Sequence, residues 1–321
     1  MKVLITDYEY PQVDQEREII TGFGAELLTC QLKTEAELIE AVQDVDAVIV
    51  QYANITRPVI EAMKKCKMVI KYGIGVNNID ADAATEKGIY VCNVPDYGVE
   101  EVSNHAIVLM LSLAKKLTLL NDRMRSGKWG YTPSVPLYRL NGSTLGLVGL
   151  GRIPSLVAKK MAGFGLNIVA YDPYAQGAAA KELGVTLVDF DTLCKTSDFV
   201  SIHCPQTPQT THLFNSEVFA KMKKTAYLVN TARGPIVDEA ALIEALKSGE
   251  IAGAGLDVFE EEPLASASEL LKLDNVIATP HCAWYSEEAI STLQRKVAEE
   301  VVNVLGGNKP FNCTNPAVLA R

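Results

Sequence analysis

Three polar residues have the types needed to hold a carboxylate, polarise a carbonyl and pass a proton: Arg233, Glu262 and His281. They follow the β-type runs "AYLVNTA", "AGAGLDVF" and "VIATP", and open parallel sheets present their chemistry beyond the C-terminal ends of strands. The planar fork of a guanidinium can grip a carboxylate with two bonds and polarise a neighbouring carbonyl. Histidine titrates near neutrality without help, and His281 is one of only 4 in the chain. A carboxylate on one imidazole nitrogen would fix the tautomer and favour the imidazolium, so that the other nitrogen can donate a proton. In "DVFEEEP", Glu260 and Glu261 suit that partner role by composition as well as Glu262 does, although they also read as a solvated acidic loop.

A second group of residues has the arrangement of a dinucleotide site. Gly149 and Gly151 in "LVGLGRIPS" follow a strand and precede a helix, which lets backbone N–H groups approach a pyrophosphate at the helix N-terminus. The third position of this fingerprint is Pro154 instead of glycine. A first-turn proline loses no intrahelical bond but denies the close approach of helix to strand, so some displacement of the helix start is expected. Asp172 closes the next strand, "NIVAYD", where a carboxylate would accept bonds from the adenosine ribose hydroxyls and select NAD over NADP.

Such residues need strand ends to stand on. Short β-rich runs alternate with helix-patterned segments along the whole chain, so the fold class is α/β, with parallel sheets covered by helices. In the first part the strand candidates are "KVLIT", "DAVIVQY", "MVIKYG" and "YVCNV"; in the second they are "STLGLVGLG", "NIVAYD", "FVSIHC", "AYLVNTA", "AGAGLDVF" and "VIATPH". Between the two halves, residues 99–126 form a helical pattern about twice the average helix length, expected to bridge two domains. Its apolar run "AIVLMLSLA" exceeds what one domain face requires, which predicts a homodimer. The last helical pattern, from "SEEAISTLQ", is long enough to return across the first domain and make it discontinuous.

Composition narrows the class of function. A chain of 321 residues with 48% hydrophobic content predicts two folded cores. Its net charge of -9 disfavours nucleic acid and anionic membranes as partners. The 7 cysteines are scattered with no C-x-x-C pair, so no metal site is expected and reduced thiols in a cytoplasmic protein fit best. The opening run "MKVLIT" is too short for a signal peptide or a membrane span.

The motifs "KYGIGVNNID", "GLGRI", "YDPY", "VNTARGPIVDEAALIEAL", "GLDVFEEEP" and "TPHCAWYSEEA", in that order, resemble the D-isomer-specific 2-hydroxyacid dehydrogenases along the whole chain. The resemblance implies two Rossmann-like or flavodoxin-like doubly wound domains with a cleft between them. Residues 1–98 plus 285–321 would bind substrate and 99–284 would bind NAD. It further implies hydride transfer between nicotinamide and a small D-2-hydroxy acid or 2-keto acid. Arg233 would hold the substrate, His281 would be the acid/base, and Glu262, by its spacing from Asp257, its partner. Cofactor contacts would come from Arg152, Ile153, Cys204, Pro205, Thr210, Thr231, Ala232 and Asp257, besides Gly149, Gly151, Asp172 and His281. Backbone N–H groups of Ile74 and Gly75 would meet the substrate carboxylate, as a glycine-flanked anion nest can. Val102 stands where the family commonly has a hydroxyl.

The phrase "HCAWYSEEA" is similar to the branch that contains the C-terminal binding proteins. Trp284 would either wall the substrate pocket or pack at the domain border, and Lys71 stands where that branch has an arginine. Two other functions follow from the resemblance: an NADH-sensing interaction protein, against which the retained triad and the short segment beyond residue 311 argue, and a phosphoglycerate dehydrogenase of short form.

Overall fold

The computed structural model describes residues 1–320, and the chain divides into two compact units, Met1–Gly98 with the segment from Ser286 onward, and Val99–Tyr285. In the first unit, strands β1 (Lys2–Ile5), β2 (Glu26–Thr29), β3 (Ala47–Val50), β4 (Met68–Lys71) and β5 (Tyr90–Cys92) alternate with helices α1 (Asp14–Gly22), α2 (Glu35–Ala41), α3 (Arg57–Ala62) and α4 (Ala81–Glu86). All five strands are parallel, in the order β2-β1-β3-β4-β5. The central strand β3 reads AVIV with every residue buried, the near-continuous apolar run of a strand covered on both faces. Asp80 and Thr34 cap α4 and α2 by accepting backbone N–H groups, which ends the strand-to-helix connections without orphaned donors.

The second unit opens with α5 (Val99–Lys115) and α6 (Leu117–Arg125). The continuous helix expected there is broken at Lys116, which adopts a left-handed backbone with φ 46°. α5 begins at the boundary of the second unit and packs on its sheet. There follow β6 (Thr144–Val148), α7 (Arg152–Met161), β7 (Asn167–Tyr171), α8 (Gly177–Glu182), β8 (Val185–Leu187), α9 (Phe190–Thr196), β9 (Phe199–Ile202), α10 (Ser216–Phe219), β10 (Tyr227–Asn230), α11 (Glu239–Ser248), β11 (Gly253–Leu256) and β12 (Val276–Ala278). The seven strands are again parallel, in the order β12-β11-β10-β9-β6-β7-β8. The order reverses between β6 and β9, so the connections that follow these two strands lead to opposite faces of the sheet and leave a crevice at its edge where ligands bind in open sheets.

Helix α12 (Glu287–Leu305) carries the chain back to the first unit and packs on α1, β3 and β4. The doubly wound parallel architecture is therefore present twice. No helix among the described residues is long and apolar enough to cross a membrane.

Candidate active site

The candidate residues of the second unit lie in the loops beyond the C-terminal ends of its strands or, for Arg152 and Ile153, in the first turn of the helix that follows. After β6, Gly149 turns with φ 98°, and a Cβ there would meet the Cys204 N–H and the His203 carbonyl carbon at 3.1 Å. Only glycine lets the loops of β6 and β9 approach this closely. Gly151 is the N-cap of α7, and Pro154 sits buried in the first turn. The helix starts directly at Arg152, with Ser155 N–H bonded to the Gly151 carbonyl at 3.1 Å. Pro154 thus falls where its missing N–H has no intrahelical partner anyway. Asp172, at the end of β7, accepts the Leu150 N–H and the Tyr174 N–H, each at 2.8 Å. One carboxylate therefore fixes the glycine turn from below its second residue and still has lone pairs to spare.

Beyond β9, the Thr210 hydroxyl donates to the Pro205 carbonyl at 2.7 Å and receives the Thr207 N–H at 2.7 Å, closing the loop that Cys204 begins. Burial pushes the Cys204 thiol up to about 11, so it stays a neutral wall. Beyond β10, the buried Asn230 accepts the Ala232 N–H at 3.0 Å and donates to the Arg233 carbonyl at 2.9 Å. No sequence motif marks this brace. Arg233 Nη1 donates to the Ala232 carbonyl at 2.6 Å. Gly234 packs so tightly on the next loop that a Cβ would lie 1.8 Å from the Phe259 carbonyl oxygen.

The loop after β11 supplies Glu262. Its Oε1 accepts the Phe259 N–H at 3.0 Å, and its Oε2 accepts from His281 Nδ1 at 2.6 Å. Because the carboxylate only accepts, Nδ1 of His281 carries the hydrogen and Nε2 is left to exchange a proton. Desolvation pushes the Glu262 carboxyl up, but the bond and charge of His281, the Phe259 N–H and the Arg233 charge outweigh it and leave the group below the usual carboxylate range. The neighbouring acids behave differently. Glu261 is exposed, whereas Glu260 pairs with His212 and accepts the Glu239 N–H at the start of α11; the expected solvated acidic loop is partly a structural clasp.

Asp257, 1% exposed, organises the turn that presents His281. It accepts the Thr279 hydroxyl (2.5 Å), the Cys282 N–H (3.0 Å) and the Ala283 N–H (2.8 Å). Trp284 Nε1 donates to the His281 carbonyl at 2.9 Å, so the indole braces the same turn. The other histidines have other duties. His203 bonds Ser201 at 2.8 Å and desolvation holds it down to about 3, His212 pairs with Glu260, and His105 bonds Thr279 at 2.9 Å.

In the first unit, Ile74 and Gly75 follow β4, and neither backbone N–H is engaged among the described residues. Asn93 anchors this loop through the Ile74 carbonyl at 2.7 Å. Lys71 donates to the Gln51 carbonyl and lies 5.7 Å from the centre of the Tyr52 ring. Val102, on α5, is buried and apolar.

Residues 107–283 match the family model described as D-isomer specific 2-hydroxyacid dehydrogenase, NAD binding domain. Across 319 residues the chain is 42% identical to the D-3-phosphoglycerate dehydrogenase of Methanocaldococcus jannaschii, covering 98% of this chain and 59% of that protein. It is also 42% identical over 286 residues to the glyoxylate reductase of Korarchaeum cryptofilum, covering 88% and 86% of the two chains. The chain belongs to the D-isomer-specific 2-hydroxyacid dehydrogenase family. Its fold is similar to that of the Aquifex aeolicus D-lactate dehydrogenase complexed with NAD and lactic acid, with a TM-score of 0.89, 30% identity, and 98% of this chain and 99% of that chain covered. The chain spans about three-fifths (59%) of the length of the first two curated phosphoglycerate dehydrogenases it matches.

The second unit holds the family's NAD-binding domain, and two local features fit that group. The Thr231 hydroxyl is buried with no hydrogen-bond partner among the described residues, a donor and acceptor waiting for an outside group. Beside Gly151, no atom lies within 4 Å of where a Cβ would project, which leaves room for a phosphate against the backbone.

Proposed function

We propose that this protein is an NAD-dependent dehydrogenase that interconverts a small D-2-hydroxy acid and its 2-keto acid. The observation that carries this reading is the 2.6 Å pair of His281 Nδ1 and Glu262, with Arg233 on the loop of the adjacent strand. Bound NADH would supply the hydride. Arg233 holds the substrate carboxylate and faces the negative charge that develops on the keto oxygen. His281 gives that oxygen the proton on Nε2, while ionised Glu262 steadies the imidazolium. Gly149, Gly151, Arg152, Ile153, Asp172, Cys204, Pro205, Thr210, Thr231 and Ala232 are the proposed cofactor contacts. Asp257 reaches the cofactor with one remaining lone pair of Oδ2, since the turn takes the rest. Ile74 and Gly75 are the further proposed carboxylate contacts, supported by their unengaged N–H groups. The free cysteines support a cytoplasmic setting.

A phosphoglycerate dehydrogenase is the second reading, favoured by the name of the 42%-identical relative. Initial rates with NADH on glyoxylate, hydroxypyruvate, pyruvate, branched and aromatic keto acids, and phosphohydroxypyruvate decide between them. Saturable turnover of a keto acid supports the first reading, and a clear preference for the phosphorylated one supports the second. NADH binding without turnover of any member would instead favour the sensor function suggested by the "HCAWYSEEA" phrase. NADH should be preferred to NADPH, because the Asp172 carboxylate repels a 2′-phosphate. Equal kcat/KM for the two cofactors would contradict this.

A further inference from the structure

Asp257 is a buried carboxylate, and among the described residues no lysine or arginine pairs with it. Two metal-ligating side chains face it instead. His105 Nε2, from α5, lies 3.6 Å from Asp257 Oδ1, and Cys282 Sγ lies 3.7 Å from the same oxygen. All three donor atoms lie within 4.8 Å of one another. Tetrahedral zinc with bonds of about 2.0–2.3 Å to N, O and S sets its ligand atoms about 3.3–3.7 Å apart. Two of the three edges already have that length. The third closes by rotation of the half-buried Cys282 side chain.

We propose that His105, Asp257 and Cys282 form a site for one zinc-class divalent cation, built on the turn that carries His281. One imidazole nitrogen, one carboxylate oxygen and one thiolate suit Zn²⁺ or Co²⁺ and not Mg²⁺ or Ca²⁺, which take oxygen ligands. Three protein ligands leave a fourth position for water. Coordination needs the Nε2 lone pair. In the metal-free network the Thr279 hydroxyl gives its hydrogen to Asp257, so His105 Nε2 must donate to Thr279. The cation therefore binds the other tautomer of His105 and breaks the His105–Thr279 bond. It also draws on the oxygen that holds the Cys282 N–H, and so ties the His281 turn to α5. Slower turnover on metal binding is the functional consequence, and this part rests on the reading of His281 given above.

Binding itself is read without any assay of turnover. Chelator-treated protein titrated with Co²⁺ should bind one ion per chain and develop a thiolate-to-cobalt charge-transfer band. Cys282→Ala should abolish the band although six other cysteines remain, and His105→Gln should weaken binding at least about tenfold. Failure of the parent protein to bind one Co²⁺ with this band overturns the site, whatever the variants do. So does a band that survives Cys282→Ala. Zn²⁺ should displace Co²⁺ and lower the turnover of the best keto acid reversibly with chelator. Stoichiometric binding with unchanged turnover would retain the site and overturn its effect on the turn.

Discussion

His281 enters the site with a left-handed backbone, φ 51°, a conformation that costs a non-glycine residue about 1–2 kcal/mol. Its surroundings hold it there at three points. The ring is fixed by Glu262, the N–H donates to the Asp257 and Thr279 carbonyls at 2.8 and 3.0 Å, and the carbonyl receives the Trp284 indole. Such over-determination is what a strained residue needs to persist, and it aims Nε2 in one direction. His281→Ala should therefore lower kcat by roughly 10²–10⁴-fold with little change in NADH affinity, measured by steady-state rates and fluorescence titration; parental kcat would remove the proton-transfer role. Glu262 needs its charge as well as its shape. Its carboxyl sits below the usual range, so it remains ionised through neutral and mildly acidic pH and adds no inflection there. Glu262→Gln removes the charge that favours imidazolium, and the pH profile of keto-acid reduction should move to lower pH. A profile that stays in place would show that the carboxylate does not act through the ring. Thr231 offers a test of the cofactor site that needs no chemistry. Thr231→Val deletes an orphaned hydroxyl, so the free protein should keep or raise its thermal midpoint while NADH binding weakens by about 1 kcal/mol, roughly fivefold. Unchanged NADH affinity would exclude a contact from that hydroxyl.

The loops beyond β10 and β11 function as one piece, because the Gly234 backbone is pressed against the Phe259 carbonyl. A methyl group at Gly234 cannot fit, and overpacking of this kind costs about 1–3 kcal/mol or more. Gly234→Ala should lower the calorimetric midpoint by about 2–4 °C for each kcal/mol lost and reduce turnover at the same time, since Arg233 and Glu262 would separate. An unchanged midpoint would mean that the loops part without strain. This coupling joins residues far apart in the chain and left no pattern in the sequence beyond the glycine itself. The strand ends, by contrast, were readable: Arg233 and Glu262 lie in the loops after the interior strands β10 and β11, whose residues are buried throughout, and His281 follows β12, an edge strand that still carries a short apolar run. The two strands without a sequence signal, β2 and β8, are both sheet edges. They are short and only partly buried, so nothing forces the apolar run that marks a covered strand. The His105–Asp257–Cys282 group was equally hidden, since scattered single ligands have no spacing to recognise. Asn230 was hidden for the same reason: its work is a pair of backbone bonds within one turn.

At the scale of the whole molecule, self-association depends on which apolar residues remain uncovered. The run on α5 that suggested a homodimer is largely consumed by its own unit, with Ala106, Leu109, Met110, Leu113 and Ala114 all buried. Within the run Val108 stays exposed, and more exposed apolar residues follow it: Leu117 and Met124 on α6, then Trp129 at 88%, Tyr131 at 76%, Val135 and Tyr138. We infer that a homodimer would form through this segment, as large exposed aromatics close together mark a protein-binding surface. Light scattering at about micromolar concentration should give twice the chain mass, and Trp129→Ser with Tyr131→Ser should return it towards a single chain; a monomeric parent would refute the idea. The fused loops of Gly234 and Phe259 bear on the ancestry of such a protein. A lineage adapting to a bulkier acid cannot place a side chain at Gly234 without displacing the Phe259–Glu260 backbone, so change at this junction moves both loops together. Drift in substrate preference is therefore channelled away from this junction and into side chains outside the proton path such as Lys71, and not into Trp284, whose indole braces the His281 turn.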